Sequence, residues 1–189
     1  MRTGVAWMKD ESIFHRLYDL YHQDVFQFLI YMVKNRSVAE DLSHEVYVRV
    51  LKSYERFQGK SSEKTWLFAI AKNVAIDYFR KNAIRSARAF DAFNWETENL
   101  VSPSRSPEVL TELNDEMRQL LEALEKCTGD QKVVIIMRYI QELSIAETAE
   151  ILNWTEGKVK TTQHRALNKL REILTKTNEM KGGIAGESK

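Results

Sequence analysis

Apolar residues recur at intervals of three and four along most of the chain, the spacing of amphipathic helices rather than strands. From Glu11 to Lys34, Phe14, Leu17, Tyr18, Tyr21, Val25, Phe28, Leu29 and Met32 share one face. A polar break follows, and Ser37 with Glu40 has the spacing of a capping box. The next helix, running to Phe57, packs Leu42, Val46, Val50, Tyr54 and Phe57, and clusters Glu40, Asp41, His44 and Glu45 near its start. "QGKSSEK" is a polar turn in which Ser61 or Ser62 can cap a third helix, "TWLFAIAKNVAIDYFRK". Leu67, Ile70, Ala71, Val74 and Tyr78 form its core face, while Trp66, Phe68, Ile76 and Phe79 spread around the rest. Aromatics outside a core face either pack a second neighbour or meet a ligand.

Periodicity weakens from Ile84 to Pro107, a stretch that holds both prolines and reads as a linker. It returns in "LNDEMRQLLEALEKC". Thr128 with Gln131 and Ser144 with Glu147 then mark two further capping boxes, and Thr155 is the N-cap of a final helix. The pattern predicts an all-α chain of two small helical domains. A three- to four-helix bundle occupies residues 9–84 and a second helical module residues 111–177, with a flexible acidic linker at 85–110 and a disordered tail at 178–189. The residues before Met8 fit no periodic pattern and read as a lead-in.

The last two helices carry the sharpest chemistry. A short helix at about 145–152, packed by Ala146, Ala149, Ile151 and Leu152, a three-residue turn and a long amphipathic helix make a helix-turn-helix pattern. In the second helix Val159, Gln163, Ala166, Leu167, Leu170, Ile173 and Leu174 face inward. Lys158, Thr161, His164, Arg165 and Asn168 face outward, where a helix of this kind enters a DNA major groove. Arg165 has the fork that matches guanine, Thr161, Thr162 and His164 offer shorter contacts, and Lys158, Lys160 and Lys169 suit phosphates.

Composition narrows the alternatives. With 7 Gly and 2 Pro in 189 residues the chain has too few turn formers for an all-β fold. Net charge is +1, so whole-chain charge identifies no partner, but its distribution does. Lys72, Arg80, Lys81, Arg85 and Arg88 form one basic zone and residues 154–176 another, separated by an acidic stretch at 91–126. Two basic zones suggest two polyanion contacts. One cysteine, Cys127, fits a reducing cytoplasm, and no apolar run is long enough to span a membrane. "HEVYV" opens like a zincin motif but has Val48 where the second His belongs. No phosphate-binding glycine loop or metal-ligand cluster is present in the sequence, and Asp41 with Glu45 lacks any pocket signal for acid–base work. Neither an enzyme nor a cofactor is expected.

The order "AEDLSHEVYVRVLKSYERF", "KTWLFAIAKNVAIDYFRK", linker, "DQKVVIIMRYIQELSIAETAEILNWTEGKVKTTQHRALNKLRE" resembles the two-domain bacterial sigma factors of the extracytoplasmic-function group, from about Ile13 to Leu174. The resemblance implies a subunit that directs core RNA polymerase to promoters. It places Asp41, Leu42, His44 and Glu45 on the surface for the β′ clamp helices, with His44 standing where the family usually has Gln. It places Lys60, Ser61, Ser62 and Asn73 at a pocket for an extruded base of the −10 element, and Lys72, Arg80 and Lys81 near phosphates. Stacking and cationic contacts can hold unpaired bases there without ATP, which gives the surplus aromatics of the third helix a use. The resemblance also implies that the final helix reads the −35 element and that its module rests on the β-flap. Cys127 and Thr128 replace the usual Leu-Pro, and Thr128 retains its capping role. A membrane-anchored anti-sigma factor is a further implied partner for a protein that is itself cytoplasmic. The rival readings are a stand-alone helix-turn-helix regulator acting without polymerase, and a helical adaptor that binds only protein.

Overall fold

The structure, a computed structural model, describes residues 4–85 and 115–184, with side chains over 14–82 and 115–177. Residues 86–114, which include nearly all of the expected linker, lie outside the described residues. Seven α-helices and no strand occur among the described residues. They are α1 (Gly4–Val33), α2 (Arg36–Ser53), α3 (Glu63–Arg85), α4 (Asp115–Leu124), α5 (Gly129–Ile135), α6 (Ile145–Leu152) and α7 (Glu156–Ile184).

The first three helices pack on one another. Leu17, Val25, Phe28 and Leu29 of α1 meet Val46 and Val50 of α2 and Leu67, Phe68, Ala71 and Val74 of α3 in a buried core. Phe28 and Phe68 pack edge to face at 5.7 Å between centroids. Two expectations change here. The cap of α2 is Asn35 rather than Ser37: its Oδ1 accepts from Val38 N–H at 2.9 Å, and Asn is at least as good a cap as Ser. The aromatics of α3 are also structural, since Phe68 and Phe79 are buried and Trp66 packs against Tyr54 and Phe57, at 5.7 and 5.0 Å. They fill a second packed side of α3, with Phe68 and Phe79 buried and Trp66 half-buried. A 3-10 turn (Tyr54–Arg56) and a loop lead into α3, where Ser62 is the cap, its Oγ accepting from Thr65 N–H at 3.0 Å. Gly59 turns this loop with φ +66°, a conformation strained for a side chain with a Cβ.

The second module winds α4, α5 and α6 around the inner face of α7. Both capping boxes form, Thr128 with Gln131 and Ser144 with Glu147. The C-terminal end of α5 widens into a π-helical turn (Ile136–Ile140), in which Gln141 N–H reaches Ile136 O at 2.9 Å. Asn153 ends α6 in the left-handed conformation, φ 55°, which short polar side chains tolerate. Thr155 Oγ1 accepts from Lys158 N–H at 3.2 Å and so caps α7. Within α6, Thr148 takes a buried position and Ala146 is exposed, so the helix is rotated from the packing read in the sequence; Ala149, Ile151 and Leu152 are buried as expected.

Both ends of the chain are more helical than the pattern indicated. α1 starts at Gly4, within the stretch read as a lead-in, and α7 runs to Ile184, within the stretch read as a tail. Once a helix is nucleated, each added residue gains a hydrogen bond without a new nucleation cost, so weakly patterned flanks can extend it. Residues 185–189 lie outside the described residues. The modules also touch each other, α3 against α6 and α1 against the π-helical turn, and their buried apolar residues form one cluster.

Candidate nucleic-acid interface

The outer side of α7 is built by what its inner side anchors. Val159 and Ala166 are fully buried and Leu170 nearly so, which fixes the rotation of the helix. Gln163 lies at the edge of the packed side, where its Oε1 accepts from Arg138 Nε (3.1 Å) and its Nε2 donates to Tyr139 Oη (3.0 Å). Arg138 also donates to Leu143 O, so the π-helical turn, the loop after it and the final helix are tied by one side chain. Gln163 is thus on the packed side, as its helical position predicts.

Lys160, Thr161, His164 and Arg165 are exposed, and Lys158, Thr162 and Lys169 are half-buried. Lys158, Thr162, Arg165 and Lys169 follow one another at helical spacing down one stripe, with Lys160, His164 and Asn168 on the next. A cleft of about 450 Å³ runs beside the first stripe, lined by Thr128, Asp130, Gln131, Gly157, Lys158, Thr161, Thr162 and Arg165. Lys158 is the most constrained cation. Its ammonium lies 3.5 Å from Asp130 Oδ2 and 3.9 Å from the centre of the Trp154 ring. Lys160 pairs with Glu156 at 3.4 Å, and His164 Nε2 bonds with Asn168 Nδ2 at 3.0 Å. Arg165 makes no ion pair among the described residues, so its fork can turn to a ligand at no cost in bridges. Asp130, Gln131 and Trp154 were not anticipated here; the capping box at Thr128 was the available signal, because a helix N-terminus is aimed at the same cleft.

In the first module Lys60, Ser62 and Asn73 are exposed and Ser61 is half-buried. Ser62 Oγ is engaged as the α3 cap and also bonds with Thr65 Oγ1 at 2.8 Å. Asn73 opens into a cleft of about 360 Å³ whose other walls are Arg49, Lys52, Ser53, Arg56 and Ile70. The Lys60–Ser62 loop is not part of that lining. Arg49, Lys52 and Arg56 escaped the sequence reading, although cations three and four residues apart in "RVLKSYER" mark a single face. Arg49 bridges Glu45 (2.8 Å) and Asp77 (3.0 Å), leaving Lys52 and Arg56 as the exposed cations of the cleft. Arg80 and Lys81 are exposed further along α3, at helical spacing from Asn73. Lys72 is half-buried, and burial pushes its amine below the ordinary lysine range.

Asp41, His44 and Glu45 are exposed and Leu42 is half-buried near the start of α2. His44 also borders an apolar hollow of about 530 Å³ between α1 and α2, with Phe14, Tyr18, Phe26, Tyr47 and Leu51 among its walls. Tyr18 and Leu51 are exposed at 42% and 50% beside this hollow. No helix among the described residues is long and apolar enough to cross a membrane.

Comparisons with known proteins agree with this division into two modules. The family described as Sigma-70 region 2 matches residues 17–85, and that described as Sigma-70, region 4 matches residues 117–170. The chain is 51% identical over 162 residues to the ECF RNA polymerase sigma factor SigX of Bacillus subtilis (strain 168), covering 86% of this chain and 84% of that protein. It is 33% identical to the ECF RNA polymerase sigma factor SigW of the same organism, covering 87% of this chain and 90% of that one. Among solved structures, the sigma factor RpoE in complex with the anti-sigma factor NepR from Bartonella quintana shares the fold, with a TM-score of 0.68 at 23% identity over 86% of this chain and 96% of the other.

Proposed function

Because the chain belongs to the extracytoplasmic-function sigma factors, a family of transcription-initiation subunits rather than enzymes, we propose that its two modules read two promoter elements while core RNA polymerase holds them. The observation that carries this reading is the outer side of α7, an exposed row of Thr161, His164 and Arg165 flanked by lysines, set on a helix-turn-helix. Arg165 contacts guanine in the −35 element, with Thr161, Thr162 and His164 beside it. Lys158, Lys160 and Lys169 hold phosphates. Trp154 and Asp130 fix Lys158 in place, so its phosphate contact needs little further ordering.

The −10 element meets the loop of Lys60, Ser61 and Ser62 and the cleft around Asn73, where Lys52 and Arg56 supply charge for the displaced strand and Arg80 and Lys81 extend it. Sequence is read there by a base turned out of the stack. With Phe68 and Phe79 in the core, strand opening relies on this polar, cationic cleft rather than on a run of exposed rings. Asp41, Leu42, His44 and Glu45 contact polymerase on the β′ clamp helices, and the apolar hollow beside His44 extends that face. The second module rests on the β-flap. The same faces suit an anti-sigma factor anchored in the membrane, and the protein acts in the cytosol where polymerase works.

The test is run-off transcription by purified core polymerase on a library of promoter fragments, with and without the protein. Transcripts that appear only on its addition support the proposal, and the selected fragments define both elements. Silence from polymerase, together with tight operator binding by the protein alone, supports the stand-alone regulator instead.

A further inference from the structure

The loop proposed to receive the turned-out −10 base has no anchor of its own. Residues 58–60 are exposed, Ser61 is half-buried, and among the described residues no side chain from 58 to 61 makes a hydrogen bond or ion pair. The shape of the loop therefore depends on where its two stems are held. Both are pinned to the first turn of α3. On the entry side the Phe57 ring packs on Trp66 at 5.0 Å, and Tyr54 Oη donates to Glu63 Oε1 at 3.1 Å. On the exit side Ser62 caps the helix through Thr65 N–H, and Trp66 N–H reaches Ser62 O at 3.0 Å.

Glu63, the first residue of α3, ties these stems to a third element. Arg16 of α1 gives both arms of its guanidinium to this one carboxylate, Nη1 to Oε2 at 2.6 Å and Nη2 to Oε1 at 2.5 Å. With Tyr54 the carboxylate accepts three hydrogen bonds, two from α1 and one from the turn before the loop. A bidentate guanidinium fixes the plane of a carboxylate as well as its place. Buried packing already pairs the helices. Leu17, beside Arg16, is fully buried, and Phe28 of α1 is locked against Phe68 of α3. Arg16 keeps 48% of its side chain exposed, and an ion pair in that setting adds little to stability. What the bridge supplies is direction, because it sets the angle at which the loop leaves α3.

We propose that Arg16 and Tyr54 are positioning residues for the −10 element: acting through Glu63, they hold the 58–62 loop, before DNA arrives, in the shape that accepts the turned-out base. The proposal rests on the reading that this loop meets that base. Neither side chain touches the base itself. A loop already held in its bound shape loses less freedom when the base enters, and only a base that fits the fixed shape gains in full. A loop released at its stems accepts several bases about equally and more slowly.

Promoter opening by the reconstituted holoenzyme, on fragments randomised across both elements, tests this. Arg16→Met keeps the aliphatic stem and removes the fork. Opening on the preferred −10 sequence should fall about tenfold and base preference within −10 should flatten, while selection at −35 and affinity for core polymerase stay as in wild type. Arg16→Lys, which keeps the charge as a single point, should restore part of the preference. Tyr54→Phe, which keeps the ring against Trp66, should act in the same direction by less. Because the three groups act as a unit, Arg16→Met should change nothing further in a Glu63→Ala background. In the free Arg16→Met protein, amide exchange should quicken at residues 58–62 and not in the core of α1 and α3. Equal losses at −35 and −10, or a −10 preference that Arg16→Met leaves intact, overturns the proposal while wild-type transcription stands. A loss uniform across sequences with a lower salt slope also overturns it, since Arg16 then holds a phosphate directly. A wild-type holoenzyme that makes no specific transcript overturns the promoter reading, and this proposal with it.

Discussion

Replacing Arg165 by alanine separates reading a base from holding a backbone. Its neighbour Ala166 is fully buried, so Arg165 stands about 100° away on the wheel, in solvent, with no ion pair among the described residues. Removing it breaks no bridge and opens no cavity, and stability should change by less than about 0.5 kcal/mol. The loss then falls on recognition. A bidentate contact to guanine is worth about 1–3 kcal/mol, or roughly 5- to 150-fold in affinity. Run-off transcription should drop by that factor on the preferred −35 sequence, and by much less on fragments in which the contacted guanine is already replaced. Lys160→Ala provides the contrast. Its pair with Glu156 is exposed and worth little, and a lost phosphate contact weakens all sequences alike while lowering the salt slope by about 0.9. Binding of the holoenzyme to both fragment types across a salt series distinguishes the two. If Arg165→Ala weakens every fragment equally and flattens the salt slope, Arg165 holds a phosphate and the base assignment is wrong. If it changes nothing, the outer side of α7 is not the reading surface.

Asn73→Ala removes an exposed side chain from the α3 cleft, so the melting temperature should hold while promoter opening, followed by permanganate reactivity of unpaired thymines, falls about 2- to 10-fold for one lost hydrogen bond. Acid should weaken the fold through two glutamates. The guanidinium of Arg16 beside Glu63, and the hydroxyl and backbone N–H of Ser144 beside Glu147, hold both carboxyls below their ordinary value. A carboxyl depressed in the folded state stabilises it above the unfolded pKa, and that contribution disappears as pH falls through the folded one. Urea midpoints measured from pH 7 down to pH 3 should therefore decline less steeply for the Glu63→Gln/Glu147→Gln protein than for wild type. Cys127 is buried, and burial pushes its thiol upward, so alkylation at pH 8 should be slow in the native protein and fast in urea. Rapid native alkylation would mean that the α4–α5 junction opens easily.

Local chemistry explains why most of the architecture was legible and where legibility stopped. The capping boxes at Thr128 and Ser144 and the N-cap at Thr155 are contained within four residues each, so the sequence locates them closely and the structure keeps them. Asn35 was missed because two good caps stood two residues apart, and the capping-box spacing favoured Ser37 on paper. The aromatics of α3 stayed open between two readings for a different reason. A wheel shows one core face, but α3 is packed from more than one direction, by Phe28 of α1 and by the Tyr54–Phe57 turn. The cleft residues Lys52 and Arg56 required knowing that the end of α2 lies beside Asn73, which is tertiary information. Lys34 and Lys132 were the least legible: a lysine is ordinarily exposed, and only carbonyls of the other module, Leu121 O for Lys34 and Met32 O for Lys132, justify burying these two.

Within the near-neutral chain, the two proposed faces on α2 carry opposite charge. Asp41 and Glu45 lie near its start, whereas Lys52 sits in its last turn with Arg56 just beyond. At about 1.5 Å per residue, the eleven steps from Asp41 to Lys52 amount to roughly 17 Å of rigid rod between the acidic end proposed to meet polymerase and the basic end proposed to meet the −10 strand. Arg49 lies between them and is tied to both Glu45 and Asp77, which fixes α2 against α3 and holds the two ends in register. A strongly basic chain would bind DNA anywhere, and its specificity would be diluted across the genome. With a formal charge of +1, the proposed function places attraction to DNA at the clefts and the outer row of α7, to become productive when polymerase occupies the acidic end and brings both modules to one promoter.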